Sequence, residues 1–176
     1  KVYAYSDNAT INNIGNFTLT GTDNIVLYGV NGSAVTNSGL IDAGGIQGSN
    51  IGVYVKDSNV TNSGRIIMGD SVIVDEYNPF VNKYSVAIYG ENSNILNDTN
   101  GYVSVGENSA GLYAVGGSIV NKGTVTSVKD GAIGIFIDSG TAENKGLIDL
   151  AGANSVGLAG KNGSVLTNTE TIRISG

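Results

Sequence analysis

The sequence predicts an all-β fold, a right-handed parallel β-helix (solenoid) with about seven rungs of about 24 residues and three short strands per rung. Three observations support this prediction. One asparagine position recurs along the chain, apolar and polar residues alternate between its occurrences, and no period of about 3.6 residues persists. The preference of parallel crossovers for one hand predicts the right-handed form. The recurrent asparagines are Asn13, Asn37, Asn62, Asn97, Asn121, Asn144 and Asn168.

The recurrent asparagine is interpreted as structural. Its successive spacings are 24, 25, 35, 24, 23 and 24 residues, and a glycine usually follows two positions later. An asparagine at a turn tolerates the left-handed backbone conformation. Stacked asparagines can also bond to one another through their side-chain amides. The following glycine is expected at a tight corner, where φ can be positive.

Three strands are expected in each rung. The first strand after the asparagine places one inward column at Phe17, Ile41, Ile66, Val103, Val125, Ile148 and Ile172. A second strand adds inward columns at Ile25, Ile51, Val86, Ala110, Ile133 and Val156, and at Leu27, Val53, Ile88, Leu112, Ile135 and Leu158. The short segment before each asparagine supplies the third strand. Such columns, stacked from rung to rung, form the predicted core.

Composition agrees with one glycine-rich β domain spanning residues 1–176. The chain has 27 glycines, one proline, 40% hydrophobic and 14% charged residues, which is unlike a disordered chain or an ordinary α/β enzyme. The net charge is −6 and the nine basic residues are scattered, so no nucleic-acid partner is expected. No apolar run approaches the roughly 20 residues that span a membrane, so no direct membrane insertion by this segment is expected.

The missing residue types limit the chemistry. The chain has no cysteine and no histidine, which excludes thiol nucleophiles, disulfides, histidine acid–base catalysis and most zinc sites. Glycosidases need carboxylates about 5 to 10 Å apart, whereas Asp42 and Asp149 are expected four rungs apart, roughly 19 Å. The spacing of Asp70, Asp75 and Glu76 does not match a calcium-binding loop. We therefore expect no enzyme, no cofactor and no metal.

One outward column of the second strand is expected to be aromatic. The outward position beside it is mostly glycine, which predicts a shallow strip along the column. The rings could stack on each other and cover exposed glycine backbone. They could instead form a face that binds sugar rings or a partner protein. The column is predicted at Tyr3, Tyr28, Tyr54, Tyr89, Tyr113 and Phe136, and the glycines at Gly52, Gly111, Gly134 and Gly157.

The single long spacing, between Asn62 and Asn97, predicts an inserted loop at residues 71–84. Insertions in a solenoid project from one face, and such loops often carry function. We interpret this one as a recognition loop. The alternative is a tolerated insertion that packs its aromatic side chains back onto the tyrosine column. The candidate binding residues of the loop are Asp75, Glu76, Tyr77, Pro79, Phe80 and Tyr84.

Short repeated phrases carry a family resemblance. They are VTNSG at 35–39 and 60–64, GVYV at 52–55, GLYAV at 111–115 and GLIDL at 146–150. These phrases resemble the rungs of monomeric autotransporter passengers, especially the very large adhesins of the fusobacterial outer membrane. In that family a signal peptide precedes a long β-helical passenger, and a C-terminal membrane barrel follows it.

The resemblance implies display at the bacterial cell surface, either anchored to the outer membrane or secreted. It implies adhesion, with a host or bacterial surface protein or glycan as the partner. A purely structural stalk is the alternative. A β-helical carbohydrate-active enzyme is less favoured, because it requires paired carboxylates that the sequence does not contain. The chain begins and ends inside the repeat pattern, with Val2 and Tyr3 aligned to Val53 and Tyr54. We therefore expect it to be an excised piece of a longer passenger.

Overall fold

The structure, a computed structural model that describes all 176 residues, is a parallel β-solenoid. It has seven rungs, and consecutive rungs pair strand to strand in parallel on each of three faces. The only helix is a single 3-10 turn at Pro79–Val81. The predicted fold class is confirmed.

Each face collects one strand from every rung. The first face contains β1 (Val2–Asp7), β4 (Asn24–Val30), β7 (Asn50–Lys56), β10 (Val86–Asn97), β12 (Ala110–Asn121), β14 (Ile133–Asp138) and β17 (Val156–Lys161). The second contains β2 (Thr10–Asn13), β5 (Ala34–Asn37), β8 (Asn59–Asn62), β15 (Thr141–Asn144) and β18 (Val165–Asn168). The third contains β3 (Asn16–Thr18), β6 (Leu40–Ala43), β9 (Arg65–Met68), β11 (Tyr102–Ser104), β13 (Thr124–Ser127), β16 (Leu147–Leu150) and β19 (Thr171–Ile174).

The first two faces form one continuous twelve-stranded sheet. This is because β10 and β12 run through the corner between these faces, and their second halves pair with β8 and β15. The third face is a separate seven-stranded sheet. A core of 26 buried hydrophobic residues runs along the interior between the three faces. Stability therefore comes from rung-on-rung stacking.

The columns of the third face follow the prediction. Ile41 pairs with Ile66, Ile66 with Val103, and Val103 with Val125. All four side chains are fully buried. On the first face, the column from Leu27 through Val53, Ile88, Leu112 and Ile135 is also fully buried.

The predicted side-chain directions of two columns of the first face are wrong, because the column expected inside lies outside and the column expected outside lies inside. The column of Ile25, Ile51, Val86, Ala110, Ile133 and Val156 faces outward, and the glycine column at Gly52, Gly111, Gly134 and Gly157 faces inward. A methyl group added at Gly134 would lie 2.8 Å from Cγ2 of Ile148 in the third face.

A break in the strand alternation is the physical reason for the exchange. Val26 and Leu27 are consecutive, yet both side chains are fully buried. The regular register pairs Ile25 with Ile51 and then Leu27 with Val53, and it skips the position between them. Strict alternation, which places successive side chains on opposite faces, does not hold across this bend.

The buried asparagines form a hydrogen-bonded ladder through the whole solenoid. Nδ2 of Asn62 donates to Oδ1 of Asn97 at 2.8 Å, and Nδ2 of Asn97 donates to Oδ1 of Asn121 at 2.8 Å. The same bond joins each successive pair from Asn13 to Asn168, at 2.7 to 2.8 Å. Five of the seven asparagines are fully buried, so the ladder satisfies amides that water cannot reach.

The left-handed backbone predicted for these asparagines is wrong, since none of them has a positive φ. The glycine two residues later has no positive φ either. Its role is close packing of stacked backbones: a methyl group on Gly64 would lie 2.2 Å from the carbonyl oxygen of Gly39. A side chain does not fit at that separation.

Six of the nine non-glycine residues with a positive φ lie instead at the corner between the first and second faces. Asn31 and Asn92 have φ values of 54° and 46°, and the equivalent residue in every rung also has a positive φ. This column reads Asn8, Asn31, Asp57, Asn92, Gly116, Ser139 and Asn162. Asn, Asp and Gly tolerate this conformation best, so six of the seven residues suit the corner.

Candidate aromatic face and inserted loop

The aromatic column stacks ring on ring along the outside of the first face. Ring centroids lie 5.3 Å apart for Tyr54 and Tyr89, 5.3 Å for Tyr89 and Tyr113, and 4.6 Å for Tyr113 and Phe136. The interplanar angles are 17°, 17° and 22°. Tyr28 meets Tyr54 edge-on at 4.8 Å. Neighbouring rings therefore cover both flat faces of Tyr89 and Tyr113.

Tyr3 does not belong to this column, which corrects the predicted alignment. Tyr5 pairs with Tyr28, and Ala4 pairs with Leu27. Tyr5 packs edge-on against Tyr28 at 5.3 Å, whereas Tyr3 contacts Phe17 at 5.9 Å. The first rung is thus shifted by two residues from the sequence alignment.

A charged column borders the aromatic column on one side. The hydroxyl of Tyr54 donates to Oε1 of Glu91 at 2.7 Å, and Lys56 pairs with Glu91 at 3.5 Å. Lys161 pairs with Asp138 at 3.3 Å. Burial raises the pKa of Tyr54, and the hydrogen bond to Glu91 raises it further. The charges on this side are therefore largely matched within the protein.

An apolar groove borders the aromatic column on the other side. Val86, Ala110 and Ile133, from the column that was predicted to face inward, form its floor. Tyr89 and Tyr113 form one wall, and Tyr84 from the inserted loop, Ser85 and Asn108 complete the lining. The groove has a volume of about 410 Å³. Such a concave, mainly apolar site with a few polar groups is typical of ligand-binding sites.

The inserted loop closes at its base and projects at its tip. Val72 and Lys83 form an antiparallel bridge with two backbone hydrogen bonds of 2.9 Å. Beyond this bridge, Tyr77 is 95% exposed and Phe80 is 96% exposed. Pro79 begins the 3-10 turn, which Asn78 caps by accepting a hydrogen bond from the amide of Phe80. Tyr77 and Phe80 thus face solvent and do not pack onto the tyrosine column, whereas Tyr84, at the end of the loop, lines the groove beside Tyr89 and Tyr113.

Asn82 connects the loop to the groove. Its Oδ1 accepts hydrogen bonds from the amides of Val74 and Asp75 at 2.7 and 3.0 Å. Its Nδ2 donates to the carbonyl oxygen of Asp75 and to the hydroxyl of Tyr84, both at 3.1 Å. The side chain therefore fixes the acidic segment Asp75–Glu76 relative to the groove wall. Sequence reasoning missed this residue, since nothing in its spacing distinguishes it from other asparagines.

The structure brings only some of the predicted binding residues together. Tyr84, Tyr89 and Tyr113 line one groove, whereas Tyr77, Pro79 and Phe80 lie at the loop tip. Tyr54 and Phe136 lie in the column outside the groove lining. The sequence analysis missed the groove floor. The glycine column beside it could have revealed the floor, because a column of glycines is typical of a crowded interior position. If the glycines face inward, the column before them must face outward.

The carboxylates considered for catalysis are engaged elsewhere. Asp42 accepts a hydrogen bond from the amide of Gly44 at 2.9 Å. Asp149 forms a bidentate pair with Arg173, which lowers the pKa of that carboxyl. The structure contains no group of three or more acidic, histidine or cysteine side chains placed to hold a metal ion. None of its helical structure has the length and apolar character of a membrane span.

No protein-family model, curated protein or solved structure matches the chain.

Proposed function

We propose that this chain is a segment of a cell-surface autotransporter adhesin passenger. In this proposal the aromatic column, the apolar groove and the inserted loop together bind a protein or glycan on host or bacterial surfaces. The protein would act outside the cell, either anchored to the outer membrane or secreted. The β-solenoid fold and the autotransporter-like rung phrases support this assignment.

One observation carries the proposal. The inserted loop holds Tyr77 and Phe80 almost fully in solvent, next to a groove with an apolar floor. Exposing large aromatic side chains on a projecting loop has no structural benefit for the solenoid. Aromatic residues are enriched at protein interfaces, and contiguous exposed apolar surface marks interaction sites.

The alternative function is a purely structural stalk. The stacking of Tyr54, Tyr89, Tyr113 and Phe136 on one another supports it, because these rings then stabilise the rod by covering each other. A stalk accounts for the column without any ligand. It does not account for the loop tip or for the position of Tyr84 over the groove.

A binding screen separates the two functions. The chain and a variant with Asp75–Phe80 replaced by a short Gly-Ser linker are applied to a glycan array and to host and bacterial cells. A control variant replaces the exposed turn residues Thr99 and Asn100 by Gly-Ser. Adhesion predicts binding by the chain and the control, and loss of binding by the loop variant. Binding by none of the three proteins would favour the stalk.

A further inference from the structure

The apolar groove has an acidic border that the sequence analysis did not detect. Asp70, Glu107 and Asp130 occupy equivalent corner positions in three consecutive rungs. The amide of Glu107 donates to Oδ1 of Asp70 at 2.8 Å, and the amide of Asn108 donates to the carbonyl oxygen of Asp130 at 2.9 Å. Glu107 directly precedes Asn108, which lines the groove. Glu107 and Asp130 therefore lie next to Asn108 and form the acidic border of the groove. Asp70 instead lines a neighbouring pocket on the third face, together with Lys129.

None of these three carboxylates forms an ion pair. The five ion pairs of the protein use other acidic residues, namely Glu91, Asp23, Glu143, Asp138 and Asp149. Asp75 and Glu76 on the loop are also outside this set and are exposed. Lys129, the basic residue next to Asp130 in sequence, forms no ion pair either. The opposite side of the aromatic column, by contrast, has matched charges.

The ring geometry argues against sugar stacking in the groove. A sugar ring packs against the flat face of an aromatic side chain, and the flat faces of Tyr89 and Tyr113 are already covered by neighbouring rings. The groove instead offers ring edges and the aliphatic side chains of Val86, Ala110 and Ile133. Such a surface suits an aliphatic or aromatic side chain of another polypeptide.

We propose that the groove binds a polypeptide segment that places an apolar side chain on Val86 and Ile133 and a lysine or arginine against the acidic border. The inference rests on the proposed adhesive function and names its partner class. Unpaired carboxylates beside an apolar groove favour basic partners and repel acidic ones. Asn82 contributes by linking the backbone of Asp75 to the hydroxyl of Tyr84, which lines the groove.

Selection from a random peptide library displayed on phage tests this inference. The whole chain is the bait, and a variant carrying Tyr84→Ala and Ile133→Ser is the counter-bait. Tyr84 lies on the loop outside the rungs, so Tyr84→Ala alone serves as a second counter-bait if the double variant unfolds. We expect enriched peptides that combine an apolar residue with a nearby lysine or arginine. No enrichment, or equal binding to the counter-baits, would overturn the inference.

A charge variant then tests the acidic border with an enriched peptide. Glu107→Gln with Asp130→Asn removes two charges and keeps an acceptor oxygen for the amide of Ala153. The control, Asp57→Asn with Glu143→Gln, removes two charges elsewhere. We expect the peptide to bind the first variant about tenfold more weakly at low salt and the control equally well. Equal binding to both variants would overturn the role of the border.

The outcomes also separate this inference from the proposed function. If Tyr84→Ala abolishes cell and glycan binding while no peptide is enriched, the adhesive function stands and the polypeptide partner is wrong. If cells, glycans and peptides all fail to bind the chain, both proposals are wrong.

Discussion

At the residue scale, the asparagine ladder is the most ordered feature of the molecule. Each of the first six amides donates to the next rung, so all six bonds point in one direction along the solenoid. A buried amide without a partner costs free energy, whereas a paired one fixes the register of its rung. The ladder thus links each rung specifically to the next.

Breaking the ladder in its middle should destabilise the fold. Asn97→Ala leaves Nδ2 of Asn62 and Oδ1 of Asn121 without their ladder partners. We expect the free energy of unfolding to fall by about 2 to 4 kcal/mol. Asn94→Ala is the matched control, because Asn94 lies on the same strand with an exposed hydrogen bond to Asn59. Its expected effect is within about 0.5 kcal/mol. Urea denaturation measures both, and equal effects would refute the ladder's role.

The stacked glycines should be equally intolerant of a side chain. Gly64→Ala forces a methyl group against the carbonyl of Gly39 and should cost about 1 to 3 kcal/mol or more. The control is Gly45→Ala, where a methyl group meets no atom within 4 Å. That change is expected to be neutral or slightly stabilising. Thermal unfolding compares the two, and an unchanged melting temperature for Gly64→Ala would contradict the proposed packing.

The sequence could predict the ladder but not the left-handed corner. The ladder asparagines are identical in all seven rungs, so their spacing alone identifies stacked positions. The corner column uses Asn, Asp, Gly or Ser, because several short residues adopt positive φ there. Several residue types can adopt a positive φ, so the corner leaves only a weak repeat in the sequence. The ladder needs a side-chain amide in every rung, so it leaves a strong one.

At the element scale, a bend in the strands of the first face creates an apolar groove beside the aromatic column. The bend after Ile25 turns both Val26 and Leu27 inward. The column of Ile25, which continues through Val86, Ala110 and Ile133, stays on the outside. The groove therefore arises from a local break in alternation. Sequence reasoning assumed regular alternation and so predicted the aromatic column without its groove.

The aromatic column should make stability sensitive to alkaline pH. Burial raises the pKa of Tyr54, Tyr89 and Tyr113 above the ordinary value of 10.0. The folded state therefore keeps these hydroxyls protonated where the unfolded state ionises. This contribution to stability is fully present below about pH 10 and is lost as the pH rises above it.

Unfolding by urea between about pH 9 and pH 11 measures this loss. We expect Tyr54→Phe to show a smaller decrease in stability over this range than the unchanged protein. Tyr77→Phe is the control, because Tyr77 lies at the exposed loop tip, and its decrease should equal that of the unchanged protein. A Tyr54→Phe profile parallel to both would show that the column does not couple to pH.

At the scale of the whole molecule, the solenoid is a stack of seven rungs with one asymmetric surface. Its core and asparagine ladder repeat in every rung, whereas the inserted loop and the groove occur once. The repeated features could be predicted from sequence, because the same residue types recur at equivalent positions in each rung. The groove could not, because it depends on the bend in the first face and on Asn82 placing Tyr84 over it.

Adhesion of protein-coated beads to host and bacterial cells is the most direct test of the central claim that this surface binds. The test variant is Tyr84→Ala with Phe80→Ala, and the matched aromatic control is Tyr102→Ala on the third face, where the ring packs under Arg65. We predict that the test variant loses adhesion while the control keeps it. Full adhesion by the test variant, or equal loss by both, would contradict the claim.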